Sequence, residues 1–160
     1  MMPFKISIIT SSRIGADRAA LDWALANEMP HGGWCPAGML ASDEPLDPKY
    51  RLKETATEAP LESVESNVRD SDATVVFTLG PKATGPAQKA VSYSKKQKKP
   101  VLHVHRAVLG ASERVVEFLD KHYIRRLHVT GTAEAEEAGV GGFVTMTLDR
   151  VKSTIDRRPG

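Results

Sequence analysis

The sequence predicts an α/β domain of the Rossmann-like kind, three layers deep, with a mainly parallel sheet flanked by helices. Three observations predict it. Short apolar runs rich in β-branched residues recur at 4–10, 73–79, 101–105 and 126–130, each bounded by Gly, Pro, Asp or Ser. Between them lie segments whose apolar residues repeat at helical spacing, and strands alternating with helices imply right-handed crossovers and a parallel sheet. The chain has 160 residues and 41% hydrophobic content, enough for one sizeable core, whereas two halves would each be poorly buried. A single domain over 1–160 follows.

Taken in order, the first run leads through Ser11-Ser12-Arg13-Ile14-Gly15 into a helix over 16–27, with Ala16, Ala19, Ala20, Leu21, Trp23, Ala24 and Leu25 at helical spacing. Pro30 ends it. The passage 31–59 has Gly32, Gly33, Gly38, Pro36, Pro45 and Pro48 and little periodicity, so it reads as a long loop. Its apolar residues Trp34, Cys35, Leu40, Leu46, Tyr50 and Leu52 are anchors that would hold it in order over the sheet. Leu61, Val64 and Val68 share one face of a short helix over 61–70. The almost continuous apolar run 73–79 is a buried parallel strand, followed by a loop over 80–86 and a helix over 87–96. The third strand is 101–105, a helix capped by Ser112 runs to 122, and the fourth strand is 126–130. A turn rich in glycine at 139, 141 and 142 opens a closing helix to 155.

In such a sheet ligands bind beyond the carboxyl ends of the strands, which here gather 10–17, 80–86, His105 and 131–134 along one edge. The first of these loops suits an anion. A helix N-terminus offers free N–H groups and a positive dipole end, Ser11 and Ser12 add hydroxyl donors, Arg13 adds charge, and Gly15 allows close backbone approach. The competing reading is an ordinary βα turn in which Ser12 or Asp17 helps cap the helix. The loop has neither a P-loop nor a complete Gly-x-Gly-x-x-Gly pattern.

Composition narrows the partners. A net charge of +2 does not favour nucleic acid, and Lys95-Lys96-Gln97-Lys98-Lys99 lacks interleaved aromatics and reads as the solvated, dipole-favourable end of a helix. One cysteine allows no internal disulfide, and no run approaches membrane-spanning length or a signal-like segment, so a cytoplasmic protein with no membrane partner is expected. Cys35, beside Trp34, reads as a small buried hydrophobe in preference to a pocket thiol. Asp17 and Asp22 do not converge as an acid/base pair, and Asp17 reads as a dipole partner or a contact to a ligand hydroxyl. Asn67, Arg69, Asp70 and Asp72 fall at the opposite end of their strand, with structural roles in turns or ion pairs. His103 and His105 share one face but lack an acidic or cysteine partner for a metal. His31 is placed either as an anion contact or as a turn residue.

Four stretches carry a family resemblance: Gly15-Ala16-Asp17-Arg18-Ala19-Ala20-Leu21-Asp22-Trp23-Ala24, Pro30-His31-Gly32-Gly33-Trp34-Cys35-Pro36-Ala37-Gly38, Asn67-Val68-Arg69-Asp70-Ser71-Asp72-Ala73-Thr74 and Lys99-Pro100-Val101-Leu102-His103-Val104. They resemble the family named putative molybdenum carrier proteins, in the circularly permuted YpsA-like branch of the LOG superfamily of nucleotide-ligand binders. The resemblance implies a non-catalytic carrier for molybdenum cofactor or a nucleotide, a small phosphate-bearing ligand. It places the contacts at Ser11, Ser12, Arg13, Gly15, Asp17, Gly32, Gly33, Gly80, Thr84, Gly85, Gly131 and Thr132. The alternative it implies is a LOG-like enzyme cleaving nucleoside monophosphates. Where those enzymes have a Pro-Gly-Gly-x-Gly-Thr-x-x-Glu motif, no glutamate follows Thr84-Gly85 here. Three loops depart from the carrier pattern. Ser11-Ser12-Arg13-Ile14-Gly15 keeps one glycine of Gly-Gly-Gln-Thr-Gly, Pro86-Ala87 follows Thr84-Gly85, and Gly131-Thr132-Ala133-Glu134-Ala135 replaces Gly-Pro-Arg-Glu-Ser. The resemblance also implies a homo-oligomer, dimer or tetramer, for which Val115, Val116, Phe118 and Leu119 or the last helix are candidate surfaces.

Overall fold

A computed structural model describes residues 5–39 and 46–159; Phe4, Leu40 and Pro45, which figure in the reading above, lie outside the described residues. Along the chain run β1 (Ser7–Ile9), α1 (Ala16–Ala26), β2 (His31–Gly32), β3 (Trp34–Cys35), a 3-10 turn (Pro48–Tyr50), β4 (Lys53–Glu54), α2 (Pro60–Arg69), β5 (Ala73–Thr78), α3 (Gly85–Lys96), β6 (Val101–His105), α4 (Ala111–Lys121), β7 (Arg126–Gly131) and α5 (Val140–Asp156). Five strands form one parallel sheet in the order β2-β1-β7-β5-β6. Helices α1, α4 and α5 pack together on one face, and α2 with α3 covers the other, which makes the three expected layers. Among the described residues no helix is long and apolar enough to cross a membrane.

The two faces differ because strand side chains alternate. Ile8, Val75, Phe77, Val104, Leu127 and Val129 join the main core with Phe143, Val144 and Leu148 of α5. The opposite face carries Thr74, Thr78, His103, His128 and Thr130, with a small cluster of Val64, Val76, Ala87 and Ala90 beside them. Four of those polar groups pair: Thr74 Oγ1 lies 3.1 Å from His128 Nδ1, and Thr78 Oγ1 lies 2.7 Å from His103 Nε2. Complete burial pushes His128 down from 6.5 to about 3, so it is neutral in the fold. The unfolded chain binds a proton below pH 6.5 that the folded chain refuses. The contribution of His128 to stability is therefore full above 6.5 and falls as pH drops from there toward 3. Urea midpoints of His128→Asn should gain on those of wild type between pH 7 and pH 4.

The long passage after α1 carries three short strands among its described residues. β2 extends the sheet by pairing with β1, and β3 pairs in parallel with β4, Trp34 opposite Lys53 and Cys35 opposite Glu54. Strands of two residues are too short to show a period, which is why the sequence hides them. Leu21 of α1 meets Cys35, Leu46, Tyr50 and Leu52 in a separate cluster, so Cys35 is the expected buried hydrophobe. Asn67 of α2, fully buried, clamps Trp34 by accepting from its N–H at 2.8 Å and donating to its carbonyl at 3.1 Å.

Several local readings are corrected. The α4 N-cap is Gly110, and Ser112 lies inside the first turn, its hydroxyl 3.1 Å from the Glu113 carboxylate. Lys99 is not solvated: its ammonium donates to the carbonyls of Val68, Arg69 and Ser71 and closes the end of α2. Val115, Val116 and Phe118 are buried against α5 and do not offer an interface. At the strand entry the structural roles hold, since Arg69 pairs with Asp70 at 2.9 Å and Asp72 accepts the amides of Arg125 and Arg126.

Candidate functional site

β1 runs into Thr10-Ser11-Ser12, and the helix that follows turns back over the end of β7. The result is a cleft of about 440 Å³ walled by Ser11, Ser12, Arg13 and Asp17 on one side and by Pro36–Met39, Glu58, Ser63 of α2 and Pro86 of α3 on the other. Ser11 and Ser12 are 6% and 2% exposed, and both line the cleft. Arg13 donates from Nη2 to the Gly131 carbonyl at 3.1 Å, and its Nη1 lies 3.9 Å from Glu136. A larger hollow of about 1020 Å³ opens at the opposite edge, by Ser7, Met29 and Arg125. There α1 and α5 present their carboxyl ends, the wrong polarity for an anion.

Asp17 forms the floor of the cleft. Its Oδ1 accepts from the Thr130 hydroxyl at 2.7 Å, a contact across 113 residues of sequence. Burial pushes its carboxyl up from 3.8 to about 6, against the opposing pull of Arg13, Thr130, the Gly131 amide and, least, Thr10. An acid poised near neutrality in a cleft is a mark of functional sites.

The remaining expected contacts are placed elsewhere. Gly15 forms an antiparallel bridge with Ala133, through which the Ala16 N–H donates to the Thr132 carbonyl at 3.1 Å and the Glu134 N–H to the Ile14 carbonyl at 2.9 Å. The loop after β7 therefore covers the first amide of α1, and no side chain caps the helix. Gly33, at φ 138°, and Gly131 are spent on close packing, since a Cβ would overlap the carbonyl oxygens of Thr10 and Phe77 respectively. Gly32 sits within β2. The Gly80 amide and the Thr132 hydroxyl converge on the Glu137 carboxylate, at 2.8 and 2.7 Å, which also takes the Leu79 amide at 2.8 Å. Partial burial raises the Glu137 carboxyl, but these donors outweigh it and hold it below the ordinary value. Glu134 likewise takes the Gly139 and Gly141 amides at the start of α5. Thr84 and Gly85 open α3 in an exposed position beside Pro86.

The structure thus gathers Ser11, Ser12, Arg13 and Asp17, and separates them from Gly80 and Thr132. His31 sets its two ring nitrogens 3.2 and 3.3 Å from the carbonyls of Met29 and Lys49, one of which takes its N–H, the turn role of its two readings. His103 and His105 do face one way, their ring centres 6.0 Å apart. Sequence reasoning passed over Arg18, Tyr50, Glu58, Ser63 and Glu137. Only Arg18 had a local signal, a second arginine one helical turn beyond the first loop.

A profile of the circularly permutated YpsA SLOG family matches residues 8–152. The crystal structure titled "Putative molybdenum carrier protein", from Syntrophus aciditrophicus SB, is 28% identical, with a TM-score of 0.85 over 93% of this chain and 96% of that one. A solved (E)-4-hydroxy-3-methyl-but-2-enyl diphosphate reductase, 13% identical over 96% of this chain and 60% of that one, has a TM-score of 0.37, too low to carry an argument. Among proteins with curated descriptions, none matches the sequence. A match over nearly the whole chain, on a sheet and helices that superpose on a family-like structure, shows that the chain belongs to the circularly permutated YpsA SLOG family.

Proposed function

We propose that the protein is a non-catalytic carrier that holds a small phosphate-bearing ligand, molybdenum cofactor or a nucleotide, in the cleft at the carboxyl ends of β1 and β7. One observation carries this reading: two serine side chains, a guanidinium and a buried carboxyl converge on one concave wall. Hydroxyls and a guanidinium are donors for phosphate oxygens, and a carboxylate accepts from the hydroxyls or N–H groups of the rest of the molecule. The name of the solved relative supports molybdenum cofactor as the cargo. Cys35 lies in its own cluster, away from this cleft, and burial with Glu54 nearby pushes its thiol up to about 11. The grip is therefore on phosphate and hydroxyls.

Thermal-shift and native mass spectrometry with molybdopterin-type cofactor, AMP, ADP-ribose, phosphate and molybdate test it. A ligand at a hundredfold excess over its Kd should add about 2.7 kcal/mol, a rise of several degrees in Tm, and Arg13→Ala should remove that rise. If no compound stabilises the wild type beyond chloride at equal ionic strength, the reading fails. Asp17 favours a second reading, N-glycosidic cleavage of a nucleoside monophosphate, because a carboxyl near neutral pKa is suited to proton transfer. Release of free base from AMP would establish that reading in place of the carrier.

A further inference from the structure

We infer, building on the carrier reading, that the phosphate of the ligand is seated in the hollow beside the Asp17 cleft, between Arg13 and Arg18 over the Ser12 hydroxyl, and that the ligand is a phosphomonoester of a hydroxyl-bearing molecule. This hollow, about 720 Å³, shares Ser12, Arg13 and Met39 with the Asp17 cleft and adds Arg18, Asp47 and Tyr50. Arg18 is held in place without a carboxylate. Its Nε donates to the Ser12 carbonyl at 3.1 Å, and its guanidinium lies 5.0 Å from the centre of the Tyr50 ring, itself fixed by a 2.8 Å hydrogen bond from its hydroxyl to Asp22. Among the described residues Arg18 makes no ion pair, and the Arg13 pairing with Glu136 is long, at 3.9 Å. Asp47, the acid on the wall, spends Oδ1 on the Lys49 amide at 2.9 Å. Arg18, without an ion pair among the described residues, Arg13 and the Ser12 side chain thus face one concavity. Forked N–H donors match phosphate oxygens better than any other common group.

Several competing amides on the same edge are already taken. The amides of Leu79 and Gly80 belong to Glu137, those of Gly139 and Gly141 to Glu134, and that of Ala16 to Thr132. Pro86 has no amide to give at the start of α3. A phosphate held by the two arginines leaves the rest of its molecule over Asp17 and Ser11, where a sugar hydroxyl finds an acceptor.

Titration calorimetry of the full chain with AMP, adenosine and inorganic pyrophosphate, for wild type, Arg18→Gln and Arg18→Lys, tests the seat. Wild type should bind AMP about tenfold or more tighter than adenosine, the contribution of charge-assisted bonds to one phosphate. Arg18→Gln should lower that ratio several-fold and weaken pyrophosphate binding, with a larger loss for AMP than for adenosine. Arg18→Lys, which keeps the charge but not the fork, should retain part of the ratio. An undiminished ratio in Arg18→Gln, lost instead in Thr84→Ala at the start of α3, overturns this seat and leaves the carrier reading standing. Failure of wild type to bind AMP and pyrophosphate overturns this seat, and the carrier reading falls with it only if the molybdopterin-type cofactor also fails to stabilise the protein.

Discussion

Asn67→Ala should lower the free energy of unfolding by about 3 kcal/mol, or roughly 6–12 °C in Tm, although Asn67 touches no part of the cleft. The side chain is fully buried and joins α2 to Trp34 through two hydrogen bonds, at 2.8 and 3.1 Å. Truncation leaves a buried N–H and a buried C=O of Trp34 without partners and opens a void, and each orphaned group costs about 1–3 kcal/mol. The indole Nε1 still donates to Asp70 at 2.7 Å, so the strand is loosened and not released. Because Trp34-Cys35 leads directly into the 36–39 wall of the cleft, ligand affinity should fall along with stability. Urea denaturation measures the first effect and calorimetry the second. A loss below about 1 kcal/mol would mean that water replaces both bonds and that the clamp is dispensable.

The second large effect has the opposite sign. Asp17→Asn should stabilise the protein at pH 8 by about 1–3 kcal/mol while weakening ligand binding. The folded carboxyl titrates at about 6 against 3.8 in the ordinary chain, a raised value. A raised group contributes stability that is fully present below 3.8 and lost as pH climbs through 6. At about 1.4 kcal/mol per unit, two units amount to about 3 kcal/mol at alkaline pH, and asparagine, which keeps an acceptor for Thr130, avoids most of it. The variant and wild type should therefore converge near pH 4 and diverge above 6. Parallel stability curves at all pH values would show that Asp17 ionises without cost and is not the buried acid described. His128, whose contribution fades below 6.5, has the opposite slope, so in wild type the two offset each other between about 3.8 and 6 and stability should be nearly flat there, falling only below 3.8.

The architecture was legible because its signals are local. The run 73–79 announces β5 by composition alone, and the helical periods at 16–27 and 61–70 recover α1 and α2 to within a residue or two. The passage 31–59 was not, because β2 exists only through its pairing with β1 and β3 only through its pairing with β4. The same division runs through the site. Ser11, Ser12, Arg13 and Asp17 lie in one stretch and could be read together, whereas the Thr130 partner of Asp17 lies far along the chain. Glycines gave the most misleading signal. A glycine that admits a phosphate and one that admits a carbonyl are the same letter, and Gly33 and Gly131 are of the second kind. Nothing near Glu137 in sequence announces that it fills the amides after β5.

That carboxylate has a kinetic consequence. A phosphate occupying the Leu79 and Gly80 amides would have to arrive from solution, and the loop after β5 would be ordered only while it stayed. Glu137 is on the same chain as those amides, so its effective concentration does not fall on dilution. The loop after β5 is therefore held without any ligand. For the carrier proposed above, loading would wait on diffusion into an open cleft and unloading would require no refolding of this loop.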